Sequence, residues 1–144
     1  MNYRILLLFL FYSIMASGQE WQKDYKVALE QAKNQHKPLL LVFSGSDWCA
    51  PCIKLDREIW RSENFRAYSK NNYILYKADF PRKKANRLGS ELTRQNNKLA
   101  ATFNSKGYFP LVVILNEKEK VLGETGYRKL SPDQYISLLN SFLK

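Results

Sequence analysis

Two stretches of five apolar residues, Leu39-Leu40-Leu41-Val42-Phe43 and Leu111-Val112-Val113-Ile114-Leu115, restrict this chain more than any other feature. Neither alternates apolar with polar residues. A strand with one wet face must alternate, so these runs predict strands covered on both faces, as in a parallel or mixed sheet. Ser44-Gly45-Ser46 breaks the first strand, and Pro110 opens the second, where a missing amide donor does least harm. A further strand is predicted from Tyr73 to Ala78, and a polar hairpin loop from Asn116 to Lys120 leads to one near Val121–Thr125.

The covering helices show in the 3.6-residue period. Between Glu20 and Gln35, the residues Trp21, Tyr25, Ala28, Leu29 and Ala32 fall on one helical face, with Pro38 beyond its end. A helix is predicted from Cys49 through Ile53, Leu55, Ile59 and Trp60, and Ser62 caps a following segment that carries Phe65 and Tyr68. Residues 82–104 are polar, with Leu88, Leu92, Leu99 and Phe103 loosely spaced, which predicts helix interrupted by loop. Ser131-Pro132-Asp133-Gln134 combines a cap, a first-turn proline and a capping-box glutamine, and Tyr135, Leu138, Leu139 and Phe142 give that last helix its apolar face. Strands interleaved with helices in this order predict an α/β fold, a central mixed β-sheet with helices on both faces.

A length of 144 residues with 45% hydrophobic content supports one domain and is short for two. The first eighteen residues stand apart: Arg4, the apolar run Ile5–Tyr12 and the small residues Ala16-Ser17-Gly18 have the layout of a signal peptide. The run is shorter than the roughly 20 apolar residues of a spanning helix. We therefore expect a leader at 1–18, cleavage after Gly18, and a soluble, monomeric domain at 19–144, exported to a bacterial periplasm. Without Arg4 the chain keeps 22 basic against 13 acidic side chains, a net charge of +9. Export argues against nucleic acid as the partner of that charge. The densest cluster, Arg82, Lys83, Lys84 and Arg87, lacks the interleaved aromatics of a base-stacking platform, which leaves acidic protein partners, an anionic surface, or a merely solvated face.

Both cysteines lie in Cys49-Ala50-Pro51-Cys52, where a strand hands over to a helix. Unpaired amides and the helix dipole stabilise a thiolate at the helix start, so Cys49 is expected to be the exposed nucleophile. Cys52 lies one turn inside and would resolve the mixed disulfide. Zinc would need four ligands, and beyond this pair the only histidine is His36. An inert structural disulfide would close a loop too short to constrain the unfolded chain much. No cofactor and no metal is expected.

The segment Phe43-Ser44-Gly45-Ser46-Asp47-Trp48-Cys49-Ala50-Pro51-Cys52-Ile53-Lys54 resembles the active-site segment of thioredoxins, including the tryptophan before the first cysteine. Leu99-Ala100-Ala101-Thr102-Phe103, through Tyr108-Phe109-Pro110 to Leu115, resembles that family's helix, loop, cis-proline and strand, and the Glu124–Gly126 turn and last helix also match. The nearest flavour is that of exported thioredoxin-like proteins and the C-terminal domain of the membrane disulfide reductase DsbD. The resemblance implies a thioredoxin fold, catalytic Cys49 and Cys52, and a cis bond before Pro110. It also implies a substrate-binding surface of Trp48, Phe109 and Pro110. It further implies a reductant of cysteine-containing exported proteins, recharged by a membrane electron donor. A disulfide oxidant or isomerase, or a non-catalytic binding module on the same scaffold, would share these features. One departure is plain: thioredoxins carry a buried aspartate six residues before the first cysteine, and this chain has Phe43. Asp47 or a water would have to take that proton-transfer role, and a carboxylate so close would raise the pKa of Cys49.

Overall fold

The structure, a computed structural model, describes residues 19–144, and the expected leader at 1–18 lies outside the described residues. Along the chain run β1 (Trp21–Gln22), α1 (Tyr25–Gln35), β2 (Leu39–Ser44), α2 (Ala50–Leu55), a π-helical turn (Asp56–Trp60) and α3 (Glu63–Asn72). There follow β3 (Ile74–Asp79), a 3-10 turn (Lys84–Asn86), α4 (Ser90–Phe103), β4 (Leu111–Leu115), β5 (Val121–Thr125) and α5 (Pro132–Ser141).

The two apolar runs become β2 and β4, antiparallel neighbours in the middle of a five-stranded sheet of order β1-β3-β2-β4-β5. β1, β3 and β2 are parallel, and β5 pairs antiparallel with β4. Their lack of alternation has the expected cause, since both faces are covered. Leu39, Leu41 and Phe43 face α1 and α4, where they meet Tyr25, Ala28, Ala32 and Leu99. Leu40 and Val42 face the opposite core, built from Leu55, Ile59, Trp60, Phe65, Tyr135 and Leu139. This is the thioredoxin fold that the sequence predicts.

Trp60 is the hub of that second core. Trp21 meets its ring edge-on at 5.8 Å, Phe65 is tilted against it at 4.7 Å and Tyr135 stands perpendicular at 5.6 Å. Each such aromatic pair adds about 0.5–1.5 kcal/mol beyond the area it buries.

Two elements differ from expectation. The first helix begins at Tyr25, because the Asp24 carboxylate accepts from the Lys26 and Val27 amides at 2.8 and 3.2 Å and caps it there. Trp21 belongs to β1, paired with Leu75. Its spacing to Tyr25 matches a helical face, yet the two side chains enter opposite cores. The helix after Cys49 is also not α-helical throughout. The Arg61 amide reaches the Asp56 carbonyl at 2.9 Å, five residues back, and within this π turn Ile59 and Trp60 are buried in one core with Leu55.

At the C-terminal end the expected box is complete. The Gln134 amide donates to Ser131 Oγ at 3.2 Å, and the Ser131 amide donates to Gln134 Oε1 at 3.0 Å. Ile136 joins the buried face of α5, and Tyr135 ties the helix to the end of β5 by donating its hydroxyl to the Gly126 carbonyl at 2.9 Å.

Candidate active site at the end of the parallel strands

In this mixed sheet β1, β3 and β2 run parallel, and the loops leaving their carboxyl ends gather at one edge. Here Ser44 ends β2 beside Asp79 at the end of β3, and antiparallel β4 begins at the same edge with Leu111 opposite Phe43. Residues 45–49, 80–89 and 104–110 therefore meet.

Cys49 is the N-cap of α2, with extended backbone (φ −92°, ψ 101°), and its Sγ accepts the Cys52 amide at 3.3 Å. Cys52 Sγ accepts the Gly45 amide at 3.5 Å, and the two sulfurs are joined in a disulfide. Both are partial acceptors of backbone N–H groups, an arrangement that favours added negative charge on sulfur when the bond opens. Exposure does not separate the pair as expected, since Cys49 is 5% exposed and Cys52 3%. In the disulfide each sulfur covers the other, so the asymmetry lies in position on the helix.

Trp48 holds the surrounding wall together. Its Nε1 donates to the Phe80 carbonyl at 2.7 Å, and its ring stands edge-on to Phe109 at 5.4 Å. The Arg82 guanidinium lies 3.8 Å from the ring centroid, on its face. Phe109 also packs on Phe80 at 5.5 Å and leads into Pro110 through a cis peptide bond. The sequence-predicted residues Trp48 and Phe109 are thus in contact, one adjoining Cys49 and the other adjoining Pro110.

Asn104, which sequence reasoning missed, fixes the loop before Pro110. Its Nδ2 donates to the Tyr108 carbonyl at 2.8 Å and its Oδ1 accepts the Tyr108 amide at 2.9 Å, while Gly107 takes a left-handed φ of 71°. A polar residue just past an apolar helical face is the one local signal that could have marked it.

Gly45 is required by Trp48. A Cβ at this position would stand inside contact distance of the indole ring. We expect Gly45→Ala to lower stability by about 1–3 kcal/mol, the usual range for overpacking. Weakened near-ultraviolet dichroism from Trp48 should accompany that loss in urea titration, and an unchanged spectrum with unchanged stability would contradict this packing.

The Asp47 carboxylate is engaged with the loop after β3. It accepts from the Arg82 and Lys83 amides, both at 2.9 Å, and from Asn86 Nδ2 at 3.0 Å. The Arg82 amide first, then the Asn86 side chain, hold this carboxyl below the ordinary aspartate range. A lowered pKa keeps the tie in place above the ordinary range and releases it as pH falls through the lowered value. Phe43, at the position where thioredoxins place the aspartate, is fully buried and stacks on Phe80 at 6.5 Å. His36 lies away from the cysteines, as the left-handed C-cap of α1. Among the described residues no group of three or more His, Cys, Asp or Glu side chains is placed to hold a metal ion.

A family model described as thioredoxin-like matches residues 20–117. The disulfide bond reductase DsbH of Chlamydia pneumoniae is 34% identical over 131 residues, 91% of this chain and 76% of that protein. A solved structure of a DsbH oxidoreductase has a TM-score of 0.82 at 33% identity, covering 91% of this chain and 88% of that one. The C-terminal domain of DsbD from Neisseria meningitidis, in its oxidised form, has a TM-score of 0.56 at 14% identity over 81% of this chain and 91% of that one, which is a likeness of fold.

Proposed function

This chain belongs to the thioredoxin-like family and is a thiol–disulfide oxidoreductase, and from that premise we propose that it works as a reductant of disulfides in exported proteins. The observation that carries the exchange chemistry is the placement of Cys49 at the N-cap of α2 with Cys52 one turn further in, and the reducing direction leans on the reductase name of the relative with 34% identity.

The reaction begins with the pair reduced. The Cys49 thiolate, favoured by the Cys52 amide and the helix start, attacks one sulfur of a partner disulfide. The partner S–S bond breaks, a Cys49–partner disulfide forms, and the partner's other sulfur leaves as a thiolate that takes a proton from water. Cys52, as thiolate, then attacks Cys49 Sγ. The Cys49–Cys52 bond forms and the second partner thiolate leaves, so the partner gains two electrons and the protein dithiol loses two. That oxidised end state has the same bond that the structure holds. With Phe43 in the aspartate's position, the Cys52 proton passes to water or to the departing partner thiolate.

Trp48, Phe109 and Pro110 form the surface on which the partner's cysteine segment lies in extended form. The working form comprises residues 19–144 after loss of the leader, in a periplasm-like compartment, and a membrane dithiol donor returns the two electrons. In support, the leader-like segment precedes the domain, and no helix among the described residues is long and apolar enough to cross a membrane. The reductase name of the relative with 34% identity favours the reducing direction.

Equilibration with glutathione tests that direction. The potential of the pair should lie nearer the about −270 mV of thioredoxin than the about −120 mV of DsbA. The reduced protein should also precipitate insulin by cleaving its interchain disulfides. A potential near the DsbA value would make the protein an oxidant, and no insulin reduction would leave it a binding module.

A further inference from the structure

We infer that the loop Arg82–Arg87 is an electrostatic docking rim of this site, selecting disulfide partners with acidic residues beside the attacked cysteine. The inference rests on the reductase reading above and deepens it by naming a class of substrate.

Within six residues the loop carries four cations, Arg82, Lys83, Lys84 and Arg87, all exposed. Among the described residues the ion pairs are Arg57–Glu58, Arg61–Asp56 and Lys77–Asp56, so none of the four is held in an ion pair, and Lys83 acts on Asp47 only from a distance. The nearby carboxylate of Asp47 is engaged with the main chain of Arg82 and Lys83 and with Asn86. It therefore fixes the loop in place through main-chain and amide contacts, without an ion pair to any of the four cationic heads.

Position separates this cluster from an ordinary solvated basic face. The Arg82 guanidinium lies on the ring of Trp48, the residue next to Cys49, and that ring packs on Phe109. Positive charge is thus attached to the wall on which a partner's segment would lie. In an extended segment, residues rise about 3.3 Å each, so a carboxylate two or three positions from the attacked cysteine lies about 7–10 Å from it. Attraction between such a carboxylate and a rim cation is felt within about the Debye length, about 8 Å at physiological salt, and is therefore salt-sensitive. Charge of this kind acts chiefly on the rate of encounter.

Other anionic partners fit less well. The loop residues Arg82–Arg87 include no aromatic side chain to stack a base. A lipid surface held by these cations would also cover Trp48 and the cysteines, closing the site to a protein substrate.

The test uses the full mature chain, reduced, and two extended peptides of equal length. Each has one cysteine activated as a 2-pyridyl disulfide, flanked in one peptide by three aspartates and in the other by three serines. Release of thiopyridone gives the second-order rate. At low ionic strength the acidic peptide should react about tenfold faster or more, the lower bound for electrostatic steering, and the advantage should shrink as salt is added. The triple variant Lys83→Gln, Lys84→Gln, Arg87→Gln should remove most of the acidic peptide's advantage, the remainder belonging to Arg82 on Trp48, and a variant with the full wild-type preference would overturn the rim; it leaves the main-chain ties to Asp47 intact.

Equal rates for the two peptides with wild-type protein at low salt would overturn the docking rim while leaving the reductase reading standing. No reaction with either peptide would overturn that reading and the rim with it. Salt-sensitive sedimentation of wild type, but not of the triple variant, with phosphatidylglycerol vesicles, without a peptide preference, would assign the cluster to lipid and overturn the proposal.

Discussion

Replacing Cys52 with alanine should turn a catalyst that cycles into one that stops after a single exchange. Cys49 keeps its place at the first turn of α2 and can still open a partner disulfide, but nothing is left to attack the mixed disulfide that results. Turnover should fall to the rate of the added reductant alone. Partners should accumulate on Cys49 as adducts that survive denaturation and vanish with dithiothreitol, visible on non-reducing gels. Cys49→Ala should abolish turnover equally and trap nothing. Trapping by Cys49→Ala, and not by Cys52→Ala, would reverse the roles. Because the two sulfurs are 5% and 3% exposed in the disulfide form, this experiment separates them where accessibility does not.

Restoring the family's carboxyl by Phe43→Asp should cost the fold dearly. Phe43 has no exposed surface, lies between Leu111 and Ala78 in the sheet and stacks on Phe80. Truncating such a ring costs about 3–5 kcal/mol before any charge is buried, against a total stability of about 5–15 kcal/mol for a typical domain. The introduced carboxyl meets an apolar surround that disfavours its ionised form, so its folded pKa rises above the unfolded value of about 3.9. A raised carboxyl pKa means that the folded state holds more protons between the two values. The variant should therefore lose stability as pH rises through that window, and its deficit against wild type should be larger at pH 7 than at pH 4. Urea midpoints at both pH values decide the matter. A variant as stable as wild type at neutral pH would show that this position accepts a charge, and the apolar account of Phe43 would fail.

The same residue shows where sequence reasoning succeeds and where it stops. That Phe43 replaces a carboxyl is legible from its place six residues before Cys49. What Asp47 is bonded to is decided by the loop at Arg82 and Lys83, thirty-five and thirty-six residues away, whose amides donate to the carboxylate. Trp21 shows a different failure. Its spacing to Tyr25 satisfies a helical period, but periodicity does not say on which side of a sheet a side chain falls, and Trp21 joins Trp60 on the side opposite Tyr25.

What this sequence determined by itself was whatever acts over a few residues. The unalternated runs required central strands, the Ser131 box set the start of the last helix, and the spacing of Cys49 and Cys52 brought two sulfurs within bonding reach across one helical turn. The tertiary structure decided what depends on pairs distant in the chain: Trp48 on Phe80 thirty-two residues away, Arg82 on Trp48, Asp47 on its loop, and the π turn that brings Trp60 under Tyr135. The physical reason is that capping, periodicity and loop closure are local free energies carried by neighbouring residues. Which charge meets which ring is fixed only once the sheet has brought the ends of β2, β3 and β4 to one edge.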